Sequence, residues 1–499
     1  MIGRITQSSL GLAIAIAGLL LTNVAAARAA TFQAAPCPYP NSQGATCGYL
    51  ITPLWHAHAH GPTIKVAVAI YPPAGGLLHA DPVFFLGGGP GFPTLGSSDG
   101  IAALKIGLTG RTVVELDQRG LAHSRPRLGC PDLTALQFVQ PDIALAGSVE
   151  EAVLNYAPGP PLERALKAAE KCRARLTSEG VDVTAFNSEE SADDIEDLRK
   201  ALGYDRIDLF GTSYGTRLAL VMLRLHPGHI RAAILDGVFP PQKGARSTGE
   251  ETVEAYRALF DYCAGLPACA AVHPHLEQQV IDVAKALDAA PVTITVVPQY
   301  VRGPPSVQAR VTGDTFLAVL AYALAYEDGT TLPDVVGRVA AGDFSQFSHL
   351  YGEQFDTTST YGMHYSVECG EDEDFSPPPV LRRIAPGLPA YLRGPYLRGQ
   401  VGDWRMCEAW NVPLIKRFRE PVHSDVPALL LSGQFDWATP PSWATLAAST
   451  LSHATTEVIP LAGHQTYFRS ACSRRIADTW LDDPKATLPH CNDAPSPGR

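Results

Sequence analysis

The stretch that most constrains this chain runs from Arg206 to His226. A short apolar run, Ile207-Asp208-Leu209-Phe210, leads into Gly211-Thr212-Ser213-Tyr214-Gly215, and a run of good helix formers follows without a break. A strand that turns into a helix over so few residues leaves no room for side chains at its flanks, which accounts for Gly211 and Gly215. The residue between them is held in a strained backbone with its side chain exposed at the strand's end. A bare Gly-x-Ser-x-Gly arises often by chance and then marks only a glycine-rich loop. The strand before and the helix after set this one apart and make Ser213 the candidate nucleophile.

The chain has 499 residues, 46% of them hydrophobic and 18% charged, enough for more than one compact unit. Its net charge is −11, with the two signs interspersed and no dense Lys/Arg stripe, so nucleic acid is not an expected partner. Residues 1–29 read as a signal peptide: Arg4, an apolar run from Leu10 to Leu21, then Ala27-Arg28-Ala29 at a cleavage-like patch. That run is short for a membrane span, so the expectation is a secreted or periplasmic protein without stable membrane insertion. Ten cysteines lie beyond it, an even number with no Cys-x-x-Cys pair, which favours disulfides over zinc or redox chemistry. Spacing suggests the pairs 37–47, 263–269 and 472–491, leaving 130–172 and 369–407, with other connectivities open.

Taken in order, 30–239 reads as the first part of a sheet domain. Strand-like runs occur at 49–51, 64–70, 82–86, 112–116 and 231–235, and a helix opens at Ser191 with Asp194 as its capping-box partner and ends at Gly203. His56, His58 and His60 alternate in the turn between the first two strands. Without an accompanying carboxylate or cysteine cluster they read as a solvated hairpin tip, and no metal site is expected. From 240 to 420 the texture becomes helical, with runs at 249–265, 276–289, 313–326 and 331–341 and a single strand-like piece at 292–297. This is expected to be a cap inserted in the sheet domain, which resumes over 421–499 with strands at 426–431 and 456–460 and a C-terminal tail.

A serine hydroxyl needs a base, and the base an orienting acid. After the helical insertion, Asp436 follows one strand and His464 the next, and the order Ser213, Asp436, His464 is that of an α/β-hydrolase fold: a mostly parallel central sheet with an inserted helical cap. Asp236, also at a strand end, is the alternative acid. Gly87-Gly88-Gly89-Pro90-Gly91 follows a strand ahead of the elbow, so the backbone N–H of Tyr214 and one from Gly89 or Gly88 are candidate oxyanion donors; Pro90 has none to give. The loop lacks Walker spacing and is no phosphate site. No cofactor is implied.

These motifs, with Asp117-Gln118-Arg119-Gly120, Gly433…Asp436…Thr439-Pro440 and Gly463-His464, together resemble the proline iminopeptidases. Cys47-Gly48-Tyr49-Leu50 and the long insertion look more like the secreted tripeptidyl aminopeptidases of that group, though Gly87 stands where members usually carry histidine. The resemblance implies release of short peptides or single residues from a substrate with a free N-terminus. Such a substrate's ammonium needs an anion, for which Glu368 and Glu371 in the acidic run from Glu368 to Asp374 are the candidates; a solvated acidic loop is the plainer alternative. Arg119 reads as support for the oxyanion loop. A carboxylesterase or amidase using the same three residues is the second possibility, and a non-catalytic binding protein the third. Oligomeric state is not legible.

Overall fold

Val83-Phe84-Phe85-Leu86 sends alternate side chains to opposite sides, Phe84 and Leu86 into one apolar cluster and Val83 and Phe85 into another. A strand buried on both faces must be covered on both. The computed structural model describes Met1 and residues 29–40, 42, 44–58, 60–73, 76–96, 110–139, 160–244, 249–299, 301, 303–372 and 378–491. The expected signal peptide, apart from its two end residues, and Glu373 and Asp374 lie outside the described residues.

The strands are β1 (Thr31–Ala34), β2 (Thr46–Pro53), β3 (Thr63–Tyr71), β4 (Val83–Leu86), β5 (Val113–Asp117), β6 (Ile207–Thr212), β7 (Ile230–Asp236), β8 (Val292–Val296), β9 (Val307–Val311), β10 (Ala428–Gly433) and β11 (Ala454–Ile459). Nine form one sheet in the order β1-β2-β3-β5-β4-β6-β7-β10-β11. Pairing is antiparallel from β1 to β5 through β3 and parallel from β5 to β11. Helices α1 (Pro131–Val139), α2 (Pro160–Ser178), α3 (Ser188–Ala201) and α4 (Tyr214–Leu225) precede the insertion. Between β7 and β10 come α5 (Glu250–Gly265), α6 (Pro267–Val272), α7 (Leu276–Ala289), α8 (Gly313–Tyr326), α9 (Leu332–Ala340), α10 (Ser345–Gly352), α11 (Tyr361–Asp372), α12 (Pro378–Ile384) and α13 (Ala390–Trp410). Helix α14 (Pro441–Ala448) connects β10 to β11, and α15 (Thr466–Arg469) and α16 (Ala471–Asp482) follow.

One sheet face buries Ile195 and Leu198 of α3, the α4 run from Leu218 to Leu223, and Ala444 and Ala447 of α14. The other packs on Ile476, Ala477 and Trp480 of α16. Between β7 and β10 a separate core gathers α5, α7, α8, α9 and α10 around the β8–β9 hairpin. Three disulfides join the pairs that spacing suggested, 37–47, 263–269 and 472–491, the other two join the remaining pairs 130–172 and 369–407, and Cys369–Cys407 ties α11 to α13.

Three local expectations need correction. Helix α3 starts at Ser188, not Ser191, because Asn187 is its N-cap and accepts from the Glu190 N–H at 2.9 Å. Asp194 is no capping partner; it lies buried inside the helix against Arg119. The strand expected alone at 292–297 pairs with β9, in which buried and exposed residues alternate.

The third concerns the histidines. His58 and His60 are exposed, as a hairpin tip should be, but His56 is only 17% exposed and its Nδ1 donates to Glu190 at 2.6 Å. Burial alone would lower its pKa, but hydrogen bonds to Asp197 and Glu190, with Asp194 close by, raise it to about 10. An imidazolium thus pins the β2–β3 connection to α3. Because the folded value lies above the unfolded one, near 6.5, the stabilisation is complete below about pH 6.5 and disappears as pH rises through 10. His56→Gln is expected to destabilise the protein by on the order of 1–3 kcal/mol at pH 6, and by much less at pH 10.5, in urea unfolding followed at both pH values.

Candidate active site

Strand β6 runs between β4 and β7 and stops at Thr212. Ser213 then adopts φ 55° and ψ −125°, a conformation costing on the order of 1–3 kcal/mol. Its N–H donates to the Asp236 carbonyl at 3.0 Å, and its own carbonyl accepts from the Thr216 N–H at 2.8 Å and hydroxyl at 2.6 Å. A Cβ on Gly215 would sit 1.9 Å from the Leu86 carbonyl oxygen, and one on Gly211 would sit 2.5 Å from that of Gly215, so both glycines are obligatory. Tyr214 begins α4, where backbone N–H groups have no intrahelical acceptor. Of the two candidate loop glycines, Gly88 abuts the serine: a Cβ there would lie 3.0 Å from Ser213 Cβ. Gly89 is the next residue, at φ 120°.

His464 follows β11 and packs on the same edge. A Cβ on Gly237, the residue after Asp236, would fall 2.9 Å from His464 Cε1. Its Nδ1 donates to Asp436 Oδ2 at 2.7 Å, which leaves Nε2 with the free lone pair. Nε2 is buried and has no hydrogen-bond partner among the described residues. Asp436 also accepts from the N–H groups of Ala438 and Thr439, both at 2.9 Å, and from the Thr439 hydroxyl at 2.7 Å. The alternative acid, Asp236, is turned away. Thr466 N–H and hydroxyl and Tyr467 N–H occupy its oxygens at 2.8–2.9 Å, and burial raises its pKa to about 6 despite those bonds.

The glycine loop is braced from two sides. Asp117 accepts from Thr94 N–H, Leu95 N–H and His123, and Gln118 donates to the Gly87 carbonyl at 3.3 Å. Arg119 is fully buried, pairs bidentately with Asp194 at 2.7 and 2.8 Å, and holds the carbonyls of Leu54 and Ala185. From the insertion, Thr360 N–H donates to the Gly91 carbonyl and His364 Nδ1 to that of Pro90, at 2.8 and 3.1 Å.

The two candidate carboxylates on α11 part company. Glu371 is fully buried and accepts from Ser188 N–H and hydroxyl at 2.7 and 2.9 Å, with Arg217 3.8 Å away. Burial pushes its pKa up to about 8, against the pull of Arg217. Its place as an ammonium anchor is therefore withdrawn: it braces α11 against α3 and α4. Glu368 is partly open and lies 3.5 Å from His364 Nε2, beside the glycine loop.

Sequence reasoning gave no role to three neighbours. Thr439 lies 3.1 Å from His464 Nδ1 as well as bonding Asp436, a link foreshadowed only by the Thr439-Pro440 motif. His364 carries no sequence signal. The Tyr326 ring meets the His464 imidazole edge-on at 5.5 Å, and Ala325 accepts the His464 N–H at 2.6 Å, so the end of α8 seats the histidine. Next to it, burial and a carboxyl–carboxyl hydrogen bond to Glu353 raise the pKa of Glu327.

A mostly parallel sheet covered on both faces, an elbow after β6, and an aspartate and histidine after its last two strands define an α/β-hydrolase fold. Residues 81–265 match the alpha/beta hydrolase fold family. Residues 395–493 match the TAP-like proteins. A tripeptidyl aminopeptidase of Streptomyces coelicolor is 29% identical over 214 residues, 40% of this chain and 36% of that protein. Serine protease Hip1 of Mycobacterium tuberculosis is 29% identical over 221 residues, 41% of this chain and 39% of that one. The alignments thus span well under half the length of these curated relatives. Among solved structures, a proline iminopeptidase of Mycobacterium smegmatis aligns over 88% of this chain and 94% of its own, at 14% identity and a TM-score of 0.36.

If Asp436 orients the imidazole, Asp436→Asn should lower kcat by about 10⁴-fold through the wrong tautomer. Thr439→Val, which removes one hydrogen bond to that carboxylate, should cost roughly tenfold. Steady-state kinetics on a 4-nitrophenyl ester measure both.

Proposed function

We propose that this protein is an exported serine peptidase of the aminopeptidase kind, releasing short peptides or single residues from free N-termini through an acyl-enzyme. The observation that carries the proposal is the buried Asp436–His464 pair, with its free Nε2, seated on the same sheet edge as the strained Ser213. Ser213 Oγ attacks the scissile carbonyl as His464 Nε2 takes its proton; the imidazolium is stabilised by Asp436 and returns the proton to the leaving amine. Water then repeats the cycle on the ester. Tyr214 and Gly88 N–H groups meet the oxyanion, with Gly89 behind them. The names of the relatives, a tripeptidyl aminopeptidase and a serine protease, favour a peptide substrate. Five disulfides favour an oxidising compartment, and among the described residues no helix is long and apolar enough to cross a membrane.

Glu368 meets the substrate's ammonium. It is the partly open carboxylate of α11, held beside the glycine loop through His364.

A fluorophosphonate probe should label the wild type at Ser213 and leave Ser213→Ala unlabelled; labelling of the alanine variant would remove the nucleophile assignment. Free-amine peptidyl anilides should be cleaved in preference to their N-acetylated forms, and Glu368→Gln should raise KM for the free-amine substrates by about tenfold or more. Equal turnover of free and blocked substrates would indicate an esterase or amidase instead.

A further inference from the structure

His464 stands on the loop after β11, and a loop does not by itself hold an imidazole still. Asp436 fixes the ring at Nδ1, and Ala325 takes the backbone N–H. That leaves the backbone carbonyl, to which Arg469 Nε donates at 3.1 Å. Arg469 Nη1 donates in turn to the carbonyl of Tyr326, and its guanidinium lies 5.8 Å from the centre of the Tyr326 ring. Tyr326 is the last residue of α8, where carbonyls have no intrahelical donor, and its ring is the one that meets the imidazole. One guanidinium thus spans the backbone of the base and the helix end against which the base rests. The two surfaces are close: a Cβ on Gly463 would fall 2.2 Å from the Ala325 carbonyl oxygen.

Arg469 is itself placed from the opposite side. Gln465 turns the chain directly after His464 at φ 60°, and α15 brings Arg469 back to the His464 carbonyl. The start of α15 is tied to β7, since the Asp236 carboxylate accepts from the N–H groups of Thr466 and Tyr467 at 2.9 and 2.8 Å. The carbonyl of that same aspartate accepts the Ser213 N–H at 3.0 Å. Asp236, turned away from the imidazole, therefore joins the backbone of the nucleophile to the short helix that carries Arg469. Both acceptors of Arg469 are neutral carbonyls, so the side chain acts through the direction of its N–H groups. A planar guanidinium fork suits that task, and the point charge of a lysine does not.

We propose that Arg469 is a positioning residue for the reaction. It clamps the backbone of His464 to the end of α8 and, through α15 and Asp236, keeps the base at a set distance from Ser213. The inference rests on His464 being the general base.

Arg469→Met keeps an apolar stem and removes the fork, whereas Arg469→Lys keeps the charge and offers a single ammonium. Steady-state kinetics on 4-nitrophenyl acetate, with thermal unfolding run on every variant, measure the effect. A misplacement of about 1 Å costs roughly 100-fold, so Arg469→Met is expected to lower kcat by about that factor while KM stays within about twofold. Arg469→Lys should fall between it and the wild type. In a His464→Ala background, adding Arg469→Met should not lower the residual rate further, because the side chain acts only through the missing ring. A folded Arg469→Met with wild-type kcat, or one that loses as much activity in the His464→Ala background as alone, overturns the positioning role. Should Arg469→Met not fold, Arg469→Lys decides: a lower kcat at unchanged KM supports the role, and wild-type kcat overturns it. If His464→Ala keeps wild-type activity, the base assignment fails and this inference with it; if only Arg469→Met does, that assignment stands.

Discussion

The reversal of the chain at Ser213 is a steric problem with one solution. Strand β6 has to become helix α4 without a connecting loop, under a sheet edge where the Leu86 carbonyl leaves no space for a Cβ at Gly215. Ser213 absorbs the whole change of direction by taking a positive φ that an L-residue ordinarily avoids. The strain persists because its neighbours over-determine it: β7 holds its N–H, Thr216 holds its carbonyl, and Gly88 abuts its Cβ. Reactivity and rigidity here have a common origin, since the same contacts that force the turn expose the hydroxyl.

Around that turn, distant segments are drawn together by buried charge. Arg119 and Asp194 lock the Asp-Gln-Arg-Gly loop to α3, while Arg217 pairing with Asp372 and Ser188 donating to Glu371 lock α11 to α4 and α3. A guanidinium as fully buried as Arg119 is tolerable only with its donors satisfied, and carboxylate and carbonyl oxygens supply that. The pairs therefore fix geometry more than they add stability. They hold the glycine loop and α11 in place relative to the serine.

What could be read from the sequence was whatever depends on local spacing. The elbow, the strand-end positions of Asp436 and His464, the helices at 276–289 and 313–326, and the disulfide pairs all follow from residues near one another in the chain or from pattern alone. Burial of charge could not be read. Glu371 sits in an acidic run that looks solvated, and the residues that bury it, Arg217 and Ser188, come from more than 150 positions earlier. His56 looked like its exposed neighbours because its partners Glu190 and Asp197 belong to another element. Strand β1 leaves no signal, because its four residues are mostly exposed and carry almost no alternation.

The Cys369–Cys407 bridge joins the helix bearing His364 and Glu368 to α13. One covalent link thereby fixes α13 against α11, the helix that props the glycine loop. A thiol-containing chain would keep every residue named above yet lose the tether coordinating them. Of the five oxidations the chain undergoes, this one would then be the step that sets the helix facing the glycine loop.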